Sequence, residues 1–293
     1  MIRDRRILTR ALALAFAAIL LTSAAAWSAP RAKHVFVVSL DGAGPPYLKQ
    51  SNMPNVFGFV RDGAHSYHAR TTIPSVTLIS HASMITGVGP EKHGVKWNSH
   101  SPEKGVVSVP TMFSEAKKSK LSTAMFSSKS KFAHFYIPGS LDCMVIPSGD
   151  PATAAEMTAT HIRRFKANLY LIHFGEPDAV GHGHGWGSPE QKASLARCDE
   201  AIGVIIKAIR DARIAGESVI IITADHGGHD KTHGGLSDRD MEIPWIAWGA
   251  GVKKGFEITN AVTTYDTAAT ALWLLDVPIP NEWDGKPVTS AFN

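Results

Sequence analysis

Cysteine is almost missing from this 293-residue chain, which holds only Cys143 and Cys198. The two lie far apart and lack zinc-ligand spacing, which excludes a zinc finger or a disulfide-built scaffold; one bond between them and two buried thiols are both compatible with the sequence. A basic surplus is missing as well. The formal charge is +4, but Arg3, Arg5, Arg6 and Arg10 against Asp4 place +3 of it in the first 26 residues, leaving about +1 for the rest. A nucleic-acid surface built on excess Lys and Arg is therefore not expected. No internal repeat, low-complexity tract or linker occurs.

Apolar runs long enough to span a membrane are absent too. The stretch from Ala11 falls short of the roughly 20 residues a spanning helix requires. With arginines before it and Ser23-Ala24-Ala25-Ala26 after it, it reads as a secretory signal, residues 1–26, cleaved after Ala26. No retained membrane segment is expected, and the protein is predicted to be periplasmic or extracellular. Arg5-Arg6 leaves general and twin-arginine export both open. Residues 27–293 have the length of a single α/β domain.

Short apolar runs, by contrast, recur, and three of them lead to a carboxylate. Val35-Phe36-Val37-Val38-Ser39-Leu40 precedes Asp41. Leu169-Tyr170-Leu171-Ile172-His173-Phe174 leads to Asp178 and His182. Val219-Ile220-Ile221-Ile222-Thr223-Ala224 precedes Asp225 and His226, with His229 and His233 in the glycine-rich stretch beyond. Runs rich in Val and Ile suit strands buried on both faces, and ligand sites of open parallel sheets lie beyond the carboxyl ends of such strands. Single Asp or His residues in these places are ordinarily caps or turns; three together point to a metal site. Carboxylate and imidazole are zinc ligands, and Asp41, Asp178, His182, Asp225, His226 and one of His229 or His233 are too many for one tetrahedral ion but suit a pair.

Helical spacing of Leu78, Ala82 and Ile85 predicts a helix from Thr77 to a stop at Gly87. A hydroxyl in its first turn sits where an anionic phosphate is favoured. A divalent metal lowers the pKa of bound water from 15.7 to about 7, and a threonine alcohol should respond similarly, so no histidine base is needed. Asn98, in His93-Gly94-Val95-Lys96-Trp97-Asn98, can donate its amide to a phosphoryl oxygen. Helices are also predicted over Gln191–Ile214 and Tyr265–Leu275, and a strand over Ile243–Trp248. Alternation of strands and helices predicts a doubly wound, mainly parallel sheet flanked by helices.

These segments resemble the alkaline phosphatase superfamily and, within it, the nucleotide pyrophosphatase/phosphodiesterase branch. The resemblance runs from about Val35 to Gly251. It rests on Asp41-Gly42, Pro74-Ser75-Val76-Thr77 with His81 and Thr86-Gly87, and Pro90-Glu91-Lys92-His93-Gly94 through Asn98. It continues over Glu176-Pro177-Asp178-Ala179-Val180-Gly181-His182, then Asp225-His226-Gly227 with His233-Gly234. The resemblance implies an alkaline phosphatase-like catalytic domain with two Zn2+ ions, Mn2+ being the alternative. Asp178, His182 and His233 would hold one ion and Asp41, Asp225 and His226 the other, with Thr77 as nucleophile at the second. His233 is preferred over His229 because a His-Gly pair follows the Asp-His-Gly motif in such proteins.

The same resemblance implies hydrolysis through a phosphoryl-threonine, with a small phosphate ester as substrate. Asn98 would bind the phosphoryl group. Leu78, expected to be substrate-binding, occupies the position where many nucleotide-cleaving relatives carry a base-supporting aromatic, which leaves Trp97, Trp186 or Phe135 to stack. Charge counting leans toward diesters. Two zinc ions, three aspartates and a Thr77 alkoxide cancel, and no arginine in the motifs would clamp a dianion. A phosphomonoesterase or phosphonate hydrolase of the superfamily is the alternative, and an inactive metal binder a more distant one. The sulfatase pattern fails at the nucleophile. No segment is long enough for a large separate cap domain, so an open cleft is expected.

Overall fold

A computed structural model describes residues 31–293 except residue 148, and the predicted signal segment lies outside the described residues. The three apolar runs form strands because Val, Ile and Phe pack well in a pleated sheet covered on both sides. They are His34–Leu40 (β1), Leu169–Phe174 and Ser218–Thr223, and every residue in all three is buried. The remaining strands are Ala64–Arg70 (β2), Thr123–Ser127 (β3), Cys143–Val145 (β4), Glu242–Gly249 (β7) and Phe256–Glu257 (β8), so that Leu169–Phe174 is β5 and Ser218–Thr223 is β6.

The eight strands form one sheet in the order β4-β3-β5-β1-β6-β7-β2-β8. Parallel pairing joins β4, β3, β5, β1 and β6, and β7 runs antiparallel to both β6 and β2. The expected sheet is therefore observed, with β7 as its reversed member. Strands β5 and β6 flank β1 on opposite sides, which makes the end of β1 a point where the chain winds in both directions. Loops leaving such a point diverge and open a crevice. Among the described residues no helix is long and apolar enough to cross a membrane.

Helices cover both faces. Pro151–Phe165, Pro189–Asp211 and Pro54–Asp62 pack together on one side, and Thr77–Thr86, Met112–Lys118 and Asp266–Leu274 on the other. The long helix begins where the Ser188 hydroxyl accepts from Gln191 N–H, and it buries Leu195, Ile202, Ile205, Ile206 and Ile209. Each such side chain contributes about 1.5–3 kcal/mol by leaving water.

Asp199 of that helix is also buried, and its carboxylate accepts from the backbone N–H groups of Asn55 and Val56 at 3.1 and 2.8 Å. It caps the positive start of the Pro54–Asp62 helix from another element. Asp199→Ala leaves those donors unpaired and should cost about 3 kcal/mol in urea unfolding. A loss below about 0.5 kcal/mol would show that the cap contributes little.

Candidate active site

The strand ends are level. Ser39 pairs with His173 on one side and Thr223 on the other, and Asp41 N–H donates to Phe174 O at 3.0 Å. Asp41 therefore emerges between the loops that carry Asp225 and His226 and the helix Glu176–His184 that carries Asp178 and His182. The two helical residues are four apart and share a face. Gly42 turns the chain away with φ of 71°, and its N–H donates to Asp225 Oδ1 at 3.1 Å. A side chain there would also meet Trp186, at 3.2 Å from an added Cβ.

The stretch after His226 folds back at once. His229 and Thr232 exchange backbone hydrogen bonds of 2.9 Å around Asp230, which has φ of 47°. This reversal returns His233 to the site, where its ring stacks on that of His226 with centroids 3.7 Å apart. His229 is instead held by buried Asp240, Nδ1 to Oδ1 at 2.8 Å.

Two groups result, Asp178 with His182 and His233, and Asp41 with Asp178 and His226. In each, one ligand atom per residue lies within 4.8 Å of the others, as holding a metal ion requires. Asp225 joins the second group through Oδ2, 3.3 Å from His226 Nε2. Asp41 Oδ1, Asp178 Oδ1 and Asp225 Oδ2 are all buried without a hydrogen-bond partner. Three unsatisfied carboxylate oxygens are costly in a protein interior unless a cation meets them.

The histidines complement them. Nδ1–H of His182, His226 and His233 donates to the carbonyls of Lys231, Gly227 and Ser75 at 3.0, 2.7 and 2.8 Å. Each Nε2 is thereby left facing the carboxylates and, once deprotonated, offers the lone pair with which imidazole binds metal. His173 Nε2–H donates to Asp41 Oδ2 at 2.9 Å, and His81 Nδ1–H donates to Thr77 O at 2.8 Å, so two buried imidazoles fix the inner site from beneath.

Protonation reflects the crowding. Burial, reinforced by Asp41, pushes the Asp225 carboxyl up to about 7. Burial alone would lower His226, yet Asp225 and Asp41 outweigh it and raise the ring to about 9. Burial would likewise raise Asp41, but Lys129, His173 and His226 hold it well below the usual carboxylate range.

Thr77 opens its helix as predicted, and Gly87 ends it with φ of 67°. Its hydroxyl lies 3.5 Å from both His226 Nε2 and Lys129 Nζ. Asn98 Oδ1 accepts from Leu78 N–H at 2.9 Å and from Lys131 Nζ at 2.9 Å, and its NH2 group has no hydrogen-bond partner among the described residues. The Leu78 expectation needs correction. Its side chain is fully buried in the core, so it contributes a backbone donor to Asn98 rather than a surface for substrate. Phe135 and Trp186 are also buried, Trp186 donating Nε1–H to Gly42 O at 2.9 Å, whereas Trp97 is half-buried. Both cysteines are free thiols.

Lys129 and Lys131 are the functional candidates that the sequence reading lacked. Lys129 Nζ bridges Asp41 Oδ2 and Asp178 Oδ2, each at 2.6 Å. Both follow β3, whose carboxyl end lies beside that of β5. A cavity of about 410 Å3, whose lining includes Ser128, Lys129, Asp150, Gly175, Glu176 and Ala179, opens beside Lys129.

A sheet of this order, with Asp and His residues gathered at the ends of β5, β1 and β6, defines an alkaline phosphatase-like fold. The sequence profile of type I phosphodiesterase / nucleotide pyrophosphatase matches residues 35–234, and the chain belongs to that family. A venom phosphodiesterase, CdcPDE, from Crotalus durissus collilineatus is 23% identical over 66% of this chain and 26% of its own length. Bis(5'-adenosyl)-triphosphatase enpp4 of Mus musculus is 25% identical over 74% of this chain and 51% of its own. The chain thus spans between a quarter and a half of these relatives.

Among solved structures, an inactive form of murine ectonucleotide pyrophosphatase / phosphodiesterase 5 in complex with AMP superposes with a TM-score of 0.76 at 14% identity. That match covers 89% of this chain and all of the other. A 2-O GAG sulfatase gives 0.74 at 13% identity, covering 89% and 74%. At these identities the likeness is one of fold.

Proposed function

We propose that the protein is a two-metal phosphoric ester hydrolase that cleaves phosphodiester or pyrophosphate bonds with Thr77 as nucleophile. The observation that carries this reading is the set of three buried, unpartnered carboxylate oxygens facing three imidazole Nε2 atoms beside the Thr77 hydroxyl. The donors fit zinc. Asp178, His182 and His233 would hold one ion, and Asp41, Asp225, His226 and Thr77 the other. Two such ions supply Lewis acidity at the attacking and leaving oxygens of an in-line displacement.

Thr77 Oγ1, its proton passed to solvent, attacks phosphorus as the bond to the leaving oxygen breaks, giving a phosphoryl-threonine and a leaving group that departs as its anion or takes a proton from water. The Asn98 NH2, held by Leu78 N–H and Lys131, donates to a phosphoryl oxygen as its negative charge grows. Water then cleaves the Oγ1–P bond and restores the alcohol. His173 and His81 keep Asp41 and the Thr77 backbone in place throughout. Export to the periplasm or cell exterior, inferred from residues 1–26, would bring the enzyme to extracytoplasmic phosphate esters.

Zinc-loaded protein should hydrolyse thymidine 5′-monophosphate p-nitrophenyl ester or diadenosine triphosphate faster than p-nitrophenyl phosphate, as product release in steady state would show. Activity on the monoester alone would replace this reading by that of a phosphomonoesterase.

A further inference from the structure

The charge balance that favours diesters omits the segment after β3. Lys129 and Lys131 both follow β3, and neither enters the count in which dications, aspartates and a Thr77 alkoxide cancel. They differ in role. Lys129 is paired with carboxylates, Asp41 and Asp178, each at 2.6 Å. Lys131 is half-buried, and among the described residues its one side-chain hydrogen bond goes to the neutral Asn98 Oδ1. A half-buried ammonium beside a phosphoryl-binding amide, lacking a carboxylate partner, is a cation awaiting an anion.

We propose that Lys131 is a specificity-determining residue that pairs with a second anionic group, a phosphate or a carboxylate, adjacent to the reacting phosphoryl group. The proposal rests on the hydrolase reading above and narrows it to substrates that carry a negative charge on the group next to the scissile phosphate. The placement supports this. Lys131 Nζ donates to Asn98 Oδ1 at 2.9 Å, which uses one of its three N–H donors and leaves two for an anion beside the phosphoryl group bound by the Asn98 NH2. A neutral-substituent diester leaves them without a partner.

The test compares methyl p-nitrophenyl phosphate, which has no second anion, with carboxymethyl p-nitrophenyl phosphate and with diadenosine triphosphate, which separate carboxylate from phosphate. Wild-type kcat/KM should favour the anionic substrates at least about tenfold, as a charge-assisted hydrogen bond provides. Lys131→Met should lower all three rates, with the anionic substrates losing about tenfold more than the methyl ester, and Lys131→Arg should restore the ratio. In parallel, calorimetry on zinc-loaded Thr77→Ala protein should show inorganic pyrophosphate binding about tenfold weaker after Lys131→Met. An unchanged substrate ratio together with unchanged pyrophosphate affinity would overturn the role of Lys131. Absence of turnover on every ester with the pyrophosphate difference intact would instead overturn the hydrolase reading and leave the anion site standing.

Discussion

Thr77→Ala is expected to lower turnover at least ~10^4-fold, the scale seen when a nucleophile is removed, while zinc content and stability stay near wild type. The fold makes the two halves of this outcome separable. Thr77 is the first residue of its helix, where alanine is a good helix former, and its hydroxyl makes only 3.5 Å contacts with His226 and Lys129. Deleting it leaves no buried donor orphaned. The proposed ligands Asp41, Asp225 and His226 directly follow β1 and β6, elements whose positions do not depend on the Thr77 side chain. Thr77→Ser keeps an alcohol in place and should retain measurable turnover. Steady-state rates on a nucleotide p-nitrophenyl ester, with elemental analysis of the same samples, decide the matter. Residual activity above about a tenth in the alanine variant would assign the attack to another group.

The central sheet was legible because its three inner strands are apolar runs rich in Val, Ile, Leu and Phe, and the residues just past them were legible because three such runs each lead to a carboxylate. Thr77 was readable from helical spacing that starts there and from the glycine that stops it. What escaped notice lies on less apolar segments. The Thr123–Ser127 strand is short, and Ser128-Lys129-Ser130-Lys131 looks like solvated loop charge until β3 is known to lie beside β5. That adjacency is long-range, and no local pattern encodes it. His173 reads as part of an apolar run and His81 only as a member of the Thr77 motif, since only the folded register brings them under Asp41 and Thr77.

The Leu78 expectation failed for a related reason. Position in a motif fixes its distance from Thr77 along the chain, whereas the helix rotates its side chain by about 100° into the core, a consequence of 3.6 residues per turn. A strand-to-loop motif survives transfer from sequence to space because its residues emerge at one level. A residue inside a helix keeps its meaning only when its face is known. The choice between His229 and His233 depended on how tightly the chain turns between them, and the paired backbone bonds of His229 and Thr232 set that turn.

The same choice gives the second large effect. Zinc stoichiometry is expected to be two per chain in the wild type, one in His233→Ala and one in Asp225→Asn, with turnover falling ~10^3-fold or more in both variants because each ion serves one oxygen of the displacement. His229→Ala should keep two. Its ring pairs with Asp240, which also accepts from Gly235 N–H at 2.9 Å, so the substitution loosens the loop without removing a donor from the metal cluster. Chelation should be felt in stability as well as activity. Without cations, Asp41, Asp178 and Asp225 keep three buried oxygens unsatisfied. An ion that binds only the folded state at 1,000 times its dissociation constant adds about 4 kcal/mol. Urea unfolding in free zinc and in chelator should therefore separate by several kcal/mol for the wild type and by less for Asp225→Asn. Coincident curves for the wild type would mean that these carboxylates bind no ion tightly, and the two-metal reading would fall with them.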